Sequence, residues 1–243
     1  MYGAAFWETK KTMQQETVLR FKRPMFVVAM DNEAAAVARA FTGEVSEETV
    51  FGRRVVSGLF HETPVALVVT GVGKANAAAG AQLALARGAD VLVNAGVAGG
   101  LVPTMRVADR FRVRAAVQYD FDLAAINGTQ VGTLNEYQTR ELPLLTVGDL
   151  SDAVLGTGDR FNESEIDHRF LVDDVHATLR DMGGAAIAHV AARAGVPCVS
   201  YKTVSDVHGS GSTVEQYLAH LAQALDALAD ETPRVLTALL ARG

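Results

Sequence analysis

Residues 65–96 read "VALVVTGVGKANAAAGAQLALARGADVLVNAG", and the fold follows from them. "VALVVTG" (65–71) and "DVLVNAG" (90–96) are apolar throughout and do not alternate. That is how strands buried on both faces of a sheet look. Between them "KANAAAGAQLALARG" is helical by composition. A buried strand, a helix and a second buried strand predict an α/β fold with one sheet and helices on both sides.

Further strand-like runs lie at "MFVVAM", 54–60, "FRVRAAVQY" (111–119), "AVLGTG" (153–158) and "PCVSYKTVSD" (197–206). "EAAAVARAF", "GAAIAHVAARAG" and the long segment from "TVEQYLAHL" to the end have helical composition or spacing. Residues 123–152 mix strand-like pieces with polar turns and lack an evident helix. No linker or repeat divides the chain, so residues 25–243 are expected to form one domain, with residues 1–24 preceding it as an arm.

Composition narrows the partners. The chain has 243 residues, 49% of them hydrophobic, with 22 basic against 28 acidic side chains. No cluster of Lys and Arg is long enough to track a phosphate backbone, so nucleic acid is not an expected partner. No apolar run reaches the roughly 18 residues that span a membrane, and the first 24 residues have no signal-peptide core. The single cysteine, Cys198, excludes a disulfide framework and fits a cytoplasmic setting. The six histidines show no metal spacing, and no G-x-S-x-G elbow occurs.

Two glycine-rich segments follow the two buried strands. "TGVGKANAAAG" (70–80) is a turn into a helix, of the kind that lets a ligand approach the backbone. It is neither a Walker loop nor a full dinucleotide fingerprint, whose sixth position is here Asn76. "NAGVAGGL" (94–101) reads as a second glycine-rich turn, ending its strand. Ligands of open α/β sheets bind beyond the carboxyl ends of strands. Glu33 and Asp206 each fall at a strand end, where they could face one pocket or serve only as helix-terminus and turn carboxylates.

In order along the chain, "VVAMDNE", "TGVGKANAAAG", "VLVNAGVAGGL", "GTGDRF" and "DMGGAAIAHVAARAGVPCVSYKTVSDV" together resemble the methylthioadenosine/S-adenosylhomocysteine nucleosidases. These belong to the purine nucleoside phosphorylase superfamily, and the resemblance covers residues 25–120 and 153–225. It implies a single-domain three-layer α/β fold whose mixed, partly barrel-like central sheet is flanked by helices. It also implies hydrolysis of the N-glycosidic bond of a 5′-modified purine nucleoside, because the arginine of the phosphorylases' R-x-G-T segment has no counterpart in "NAGVAGG". Glu33 matches the carboxylate that activates water, and Asp206, paired with Ser205, matches the acid that protonates the purine. Phe161 matches the aromatic that stacks on the base, beside Asn162 with its backbone hydrogen bonds. Met30 and Met182 match residues lining the ribose, while Val72, Ala98 and Gly99 form the pocket walls. A general acid and a general base flanking one sugar suit this chemistry, which needs no metal or organic cofactor. Family members are usually homodimers and serve methionine salvage.

One departure stands at 181–186. The family pattern is close to (E/D)-M-E-(G/A)-x-A, and its second Glu binds the ribose hydroxyls. Here Gly183 replaces that Glu, while Gly184 holds the small-residue position. The alternatives this opens are a hydrolase of a related nucleoside of futalosine type and a nucleoside-binding pseudoenzyme.

Overall fold

The structure, a computed structural model, describes residues 21–161 and 164–241. In chain order its elements are β1 (Pro24–Val28), α1 (Asp31–Ala38), β2 (Thr42–Val50), β3 (Arg53–Phe60), β4 (Thr63–Val69), α2 (Lys74–Ala86), β5 (Val91–Gly100) and β6 (Arg110–Gln118). There follow α3 (Ala124–Asn127), β7 (Leu142–Pro143), β8 (Ser151–Thr157), α4 (Glu165–Arg169), β9 (Leu179–Asp181), α5 (Gly184–Ala194), β10 (Cys198–Val207) and α6 (Thr213–Leu240). A π-helical turn, Phe170–Asp174, continues α4.

The strands form one mixed sheet in the order β10-β6-β8-β9-β5-β1-β4-β3-β2. A further parallel pairing of β10 with β5 closes five of them into a ring, from which β1, β4, β3 and β2 extend as an open wing. The expected partly barrel-like sheet is this ring. Its two layers of cover follow from the pleat. Met25 and Val27 of β1, with Leu92 of β5, pack against Ala77, Ala81 and Ala84 of α2 and against Ile187 of α5. The alternate residues Phe26, Val28, Val91 and Val93 face the other way, onto Val37 of α1 and Leu228 and Leu236 of α6. Each strand therefore buries both faces, which is why its sequence is a continuous apolar run.

Two expectations are corrected. "NAGVAGG" does not form a turn: β5 runs through it to Gly100, hydrogen-bonded to β10 on one side and to β9 at its end. Three glycines in a strand are unfavourable by propensity, but pairing with β10 at all three, and with β9 at Gly99 and Gly100, supplies the main-chain bonds that hold them. The 123–152 segment does contain a helix, the four-residue α3, capped by Gly128 in the left-handed region at φ 70°. It also contributes β7, which pairs with β6. Residues 1–20 of the expected arm lie outside the described residues, and Phe21 is buried against the α6 side of the core.

The adjacent glycines before α5 differ in kind. A Cβ on Gly184 would lie 2.5 Å from Leu155 Cδ2, 2.8 Å from Asp181 Oδ2 and 2.9 Å from Asn94 Oδ1. Gly183, the N-cap residue, has φ −150°, and a Cβ there would meet Ala77 Cβ alone, at 3.1 Å. Gly184→Ala is therefore expected to destabilise the protein by about 1–3 kcal/mol through overpacking, and Gly183→Ala by clearly less. Denaturant unfolding of the two variants checks the contrast.

Candidate active site

A half-open cavity of about 470 Å³ lies at the carboxyl ends of β1, β4, β5 and β10, where ligands of α/β sheets bind. Of the residues singled out in the sequence, Glu33, Met30, Val72, Ala98, Gly99, Phe161, Met182, Gly183, Ser205 and Asp206 all line it. Asn162 lies outside the described residues.

Glu33 sits at the third position of α1 and is 3% exposed. Its Oε2 accepts hydrogen bonds from the backbone N–H groups of Ala29 and Met30, both 3.0 Å, and its Oε1 accepts one from Val97, 3.0 Å. A side chain at Gly96 would fall on Oε1, so this strand glycine is what admits the carboxyl group. Burial pushes the Glu33 carboxyl above the usual carboxylate range, while nearby Lys202 and the three amides pull it down.

Asp206 is held by a different device. The register of β10 on β5 runs Val204 with Ala98, then Asp206 with Gly99, so Ser205 is the extra residue of a bulge. Bulges of this kind re-aim the side chain that follows. Ser205 Oγ donates to Asp206 Oδ2 at 2.7 Å, and Asp206 Oδ1 has no hydrogen-bond partner. Burial again pushes the carboxyl up; the Ser205 hydrogen bond and the charge of Arg180 oppose it. Gly96 and Gly99, the two glycines against which these carboxyl groups rest, are about 10 Å apart along β5 at ~3.3 Å per residue.

The mouth of the cavity is apolar. Phe161, 49% exposed, meets Tyr217 of α6 edge-on with ring centroids 5.5 Å apart, and Tyr217 Oη donates to Met30 Sδ at 3.4 Å. Gly71 and Gly73, at φ 89° and 103°, form the turn that carries Val72 to the rim. Asp159 accepts from Lys74 N at 2.8 Å, and Lys74 Nζ pairs with Asp120 at 2.5 Å. These bonds fasten the start of α2 to the loop that bears Phe161.

Sequence reading missed three polar residues of the floor. Lys202 is 3% exposed, and its Nζ pairs with Asp181 Oδ2 at 2.9 Å. Asp181 also accepts from Thr157 Oγ1 (2.6 Å) and from the backbone N–H of Gly184 (3.0 Å), so it caps α5. Arg180, 8% exposed, completes the set. A signal for Lys202 was present: one lysine within the otherwise mostly apolar run "CVSYKTVSDV". Cys198, in the same strand, has its thiol pushed up to about 12 by burial and is not a nucleophile. Among the described residues no cluster of three or more His, Cys, Asp or Glu side chains could hold a metal ion.

A ring-closed α/β sheet whose strand ends present two buried carboxyl groups, both shifted upward by burial, to one cavity is the layout of a small-molecule acid–base site. The chain belongs to the Phosphorylase superfamily, whose family pattern it matches over residues 25–241. It is 31% identical over 210 residues to the 5′-methylthioadenosine/S-adenosylhomocysteine nucleosidase of Anoxybacillus flavithermus, covering 79% of this chain and 90% of that one. It is 26% identical over 191 residues to the aminodeoxyfutalosine nucleosidase of Helicobacter pylori, covering 73% of this chain and 83% of that one. The crystal structure of the Helicobacter pylori 5′-methylthioadenosine/S-adenosylhomocysteine nucleosidase has the same fold. Its TM-score is 0.82 at 22% identity, covering 90% of this chain and 99% of that chain.

The raised position of Asp206 has a thermodynamic sign. The folded protein binds this proton more tightly than the unfolded chain does. Stability from this group is therefore full below the unfolded carboxyl pKa and is lost as pH climbs through the raised folded value. Asp206→Asn keeps an acceptor for Ser205 and removes the charge. Its Tm is expected to exceed that of the parent near pH 7 and to converge on it at acid pH; a pH series of melting curves checks this.

Proposed function

We propose that the protein hydrolyses the N-glycosidic bond of a 5′-modified purine nucleoside, of the methylthioadenosine or S-adenosylhomocysteine type, and releases the free base. The observation that carries this reading is the pair of buried carboxyl groups, Glu33 and Asp206, set at two stations of β5 within one cavity. Glu33, which Lys202 and three backbone amides favour in its charged form against burial, is the base that takes a proton from the attacking water. Its three amide contacts fix the carboxylate so that it need not reorganise during the reaction. Asp206, whose carboxyl burial pushes above the usual carboxylate range, is the acid that delivers a proton to the departing base from the far end of the cavity. Phe161 offers its exposed face for stacking on the base. Met30 and Met182 lie along the sugar between them, with Val72, Ala98 and Gly99 as walls.

The second reading, a hydrolase of futalosine type, is favoured by the similarity to the aminodeoxyfutalosine nucleosidase and uses the same residues in the same roles. The protein is further proposed to be a cytoplasmic homodimer serving methionine salvage. Support for the dimer comes from the apolar rim, where Val72, Val214 and Leu218 are 49%, 48% and 72% exposed beside Phe161, a surface suited to cover by a second copy.

The absent carboxylate at Gly183 bears on rate. Asp181 does not replace it, because its oxygens are engaged by Thr157, Lys202 and the start of α5. Release of free purine from methylthioadenosine and related nucleosides, followed without phosphate, tests the reading. Glu33→Gln is expected to lower turnover by about 10²–10⁴-fold. Gly183→Glu is expected to raise it by up to about 10²-fold, with Ala77 giving way slightly. Undiminished turnover in Glu33→Gln would overturn the assignment.

A further inference from the structure

Arg180 stands in the middle of β9 between two glycines, Gly99 of β5 and Gly156 of β8. A Cβ on Gly99 would lie 3.1 Å from Arg180 Nε and 3.0 Å from Asp206 Oδ1, so one omitted side chain makes room for both groups. Arg180 is 92% buried by its 8% exposure, yet its Nη2 has no hydrogen-bond partner, and neither has Asp206 Oδ1. A buried guanidinium donor left unpaired is costly, and native structures seldom retain one without a ligand or water to meet it. Both side chains line the main cavity and also a smaller annex of about 30 Å³ shared with Phe161 and Arg160. The two unmatched groups thus lie together at the end of the cavity that holds the exposed aromatic ring.

We propose that Arg180 selects the base, and that the base it selects is a 6-oxopurine. This rests on the purine nucleosidase reading for the reaction and for the 5′ side of the substrate, and departs from it at the base, where C6 carries oxygen in place of the nitrogen of an adenosine. The chemistry follows from the edge that a purine presents. In the reaction the C1′–N9 electron pair leaves with the base, and the Asp206 proton passes to N7. The water oxygen bonds C1′, and its proton goes to Glu33. The released base then shows an N7–H donor to the Asp206 carboxylate. Beside N7 on the same edge, a 6-oxopurine has the O6 acceptor and adenine has the N6 amino donor. Arginine is a donor only and stays charged. Asp206 and Arg180 together are therefore acceptor and donor, complementary to N7–H and O6. Adenine would set its amino group against the guanidinium. Charge that spreads onto O6 as the base departs is also stabilised by the same guanidinium, which is already in place.

The test measures binding of hypoxanthine and of adenine to the wild-type protein, to Arg180→Met and to Arg180→Lys by titration calorimetry. Base release from 5′-methylthioinosine and 5′-methylthioadenosine is followed separately. Hypoxanthine is expected to bind the wild-type protein at least about tenfold more tightly than adenine, because a site built to hydrogen-bond a group discriminates against analogues lacking it. Arg180→Met should erase that preference by weakening hypoxanthine, and Arg180→Lys should restore part of it. The wild-type preference is read on the native fold, so a misfolded variant does not decide the matter. Adenine bound as tightly as hypoxanthine by the wild-type protein, an unchanged preference in folded Arg180→Met, or binding of neither base would each overturn the proposal. Selective binding of hypoxanthine without base release from either nucleoside would support base selection and count against the hydrolase reading alone.

Discussion

The pairing of β5 with β10 is the constraint on which the rest of the structure depends. It closes the ring of five strands, and it brings the end of the strand that carries Gly96, Gly99 and Gly100 against the end that carries Asp206. A glycine in a strand interior gives up side-chain packing and conformational entropy, about 0.5–1 kcal/mol each relative to alanine. Here the loss is structural in purpose. A side chain at Gly96 would fall on Glu33, and side chains at Gly99 and Gly100 would crowd Asp206 and Arg180, and Met105 and Val204. The cavity is cut into the sheet by leaving atoms out, and pairing of the strand with β10, joined by β9 at Gly99 and Gly100, keeps the backbone in place where they are missing.

The charges of the floor follow from the same geometry. Lys202 and Asp181 are almost wholly buried as a pair, and a buried pair is stable only when its remaining hydrogen-bonding capacity is met. Asp181 meets it through Thr157 of β8 and the first amides of α5, so one carboxylate joins β8, β9, α5 and β10. Lys202 in turn is the charge that most lowers the Glu33 carboxyl against the larger effect of burial. Removing Asp181 would therefore be felt at Glu33 through the lysine as well as at the helix it caps.

How far the sequence was legible depends on where each element's signal is stored. The buried strands β1, β4 and β5 announce themselves as apolar runs, because both of their faces meet helices. β2 went unread because it is an edge strand, exposed along nearly its whole length, with no buried face to impose a pattern. The end of β5 resembles a turn in sequence because glycine is a turn residue by propensity. Only the tertiary pairing with β10 and β9 makes it a strand. Glu33, Asp206 and Phe161 were visible through ordered motifs, and the cavity does gather them. Arg180 was not visible. Its significance lies in two partner strands distant in sequence and in a hydrogen bond it lacks, and neither leaves a local trace.

The same device recurs at three places: Gly96 admits Glu33, Gly99 admits Asp206 and Arg180, and Gly184 admits Asp181. In each case main chain of the closed sheet or of a helix start fixes where a charged group stands, so the scaffold determines position and the side chain determines chemistry. Residues that project into the cavity without bracing the sheet are then free to differ without disturbing the ring. Gly183 is such a position, since its backbone needs no glycine and a side chain there would meet only Ala77. Arg180 is another, since neither strand partner has a side chain to pack against it. The two departures concern the sugar end and the base end of one cavity, while Glu33, Asp206 and the glycines that admit them remain in place. That distribution is what a change of substrate on a retained reaction requires.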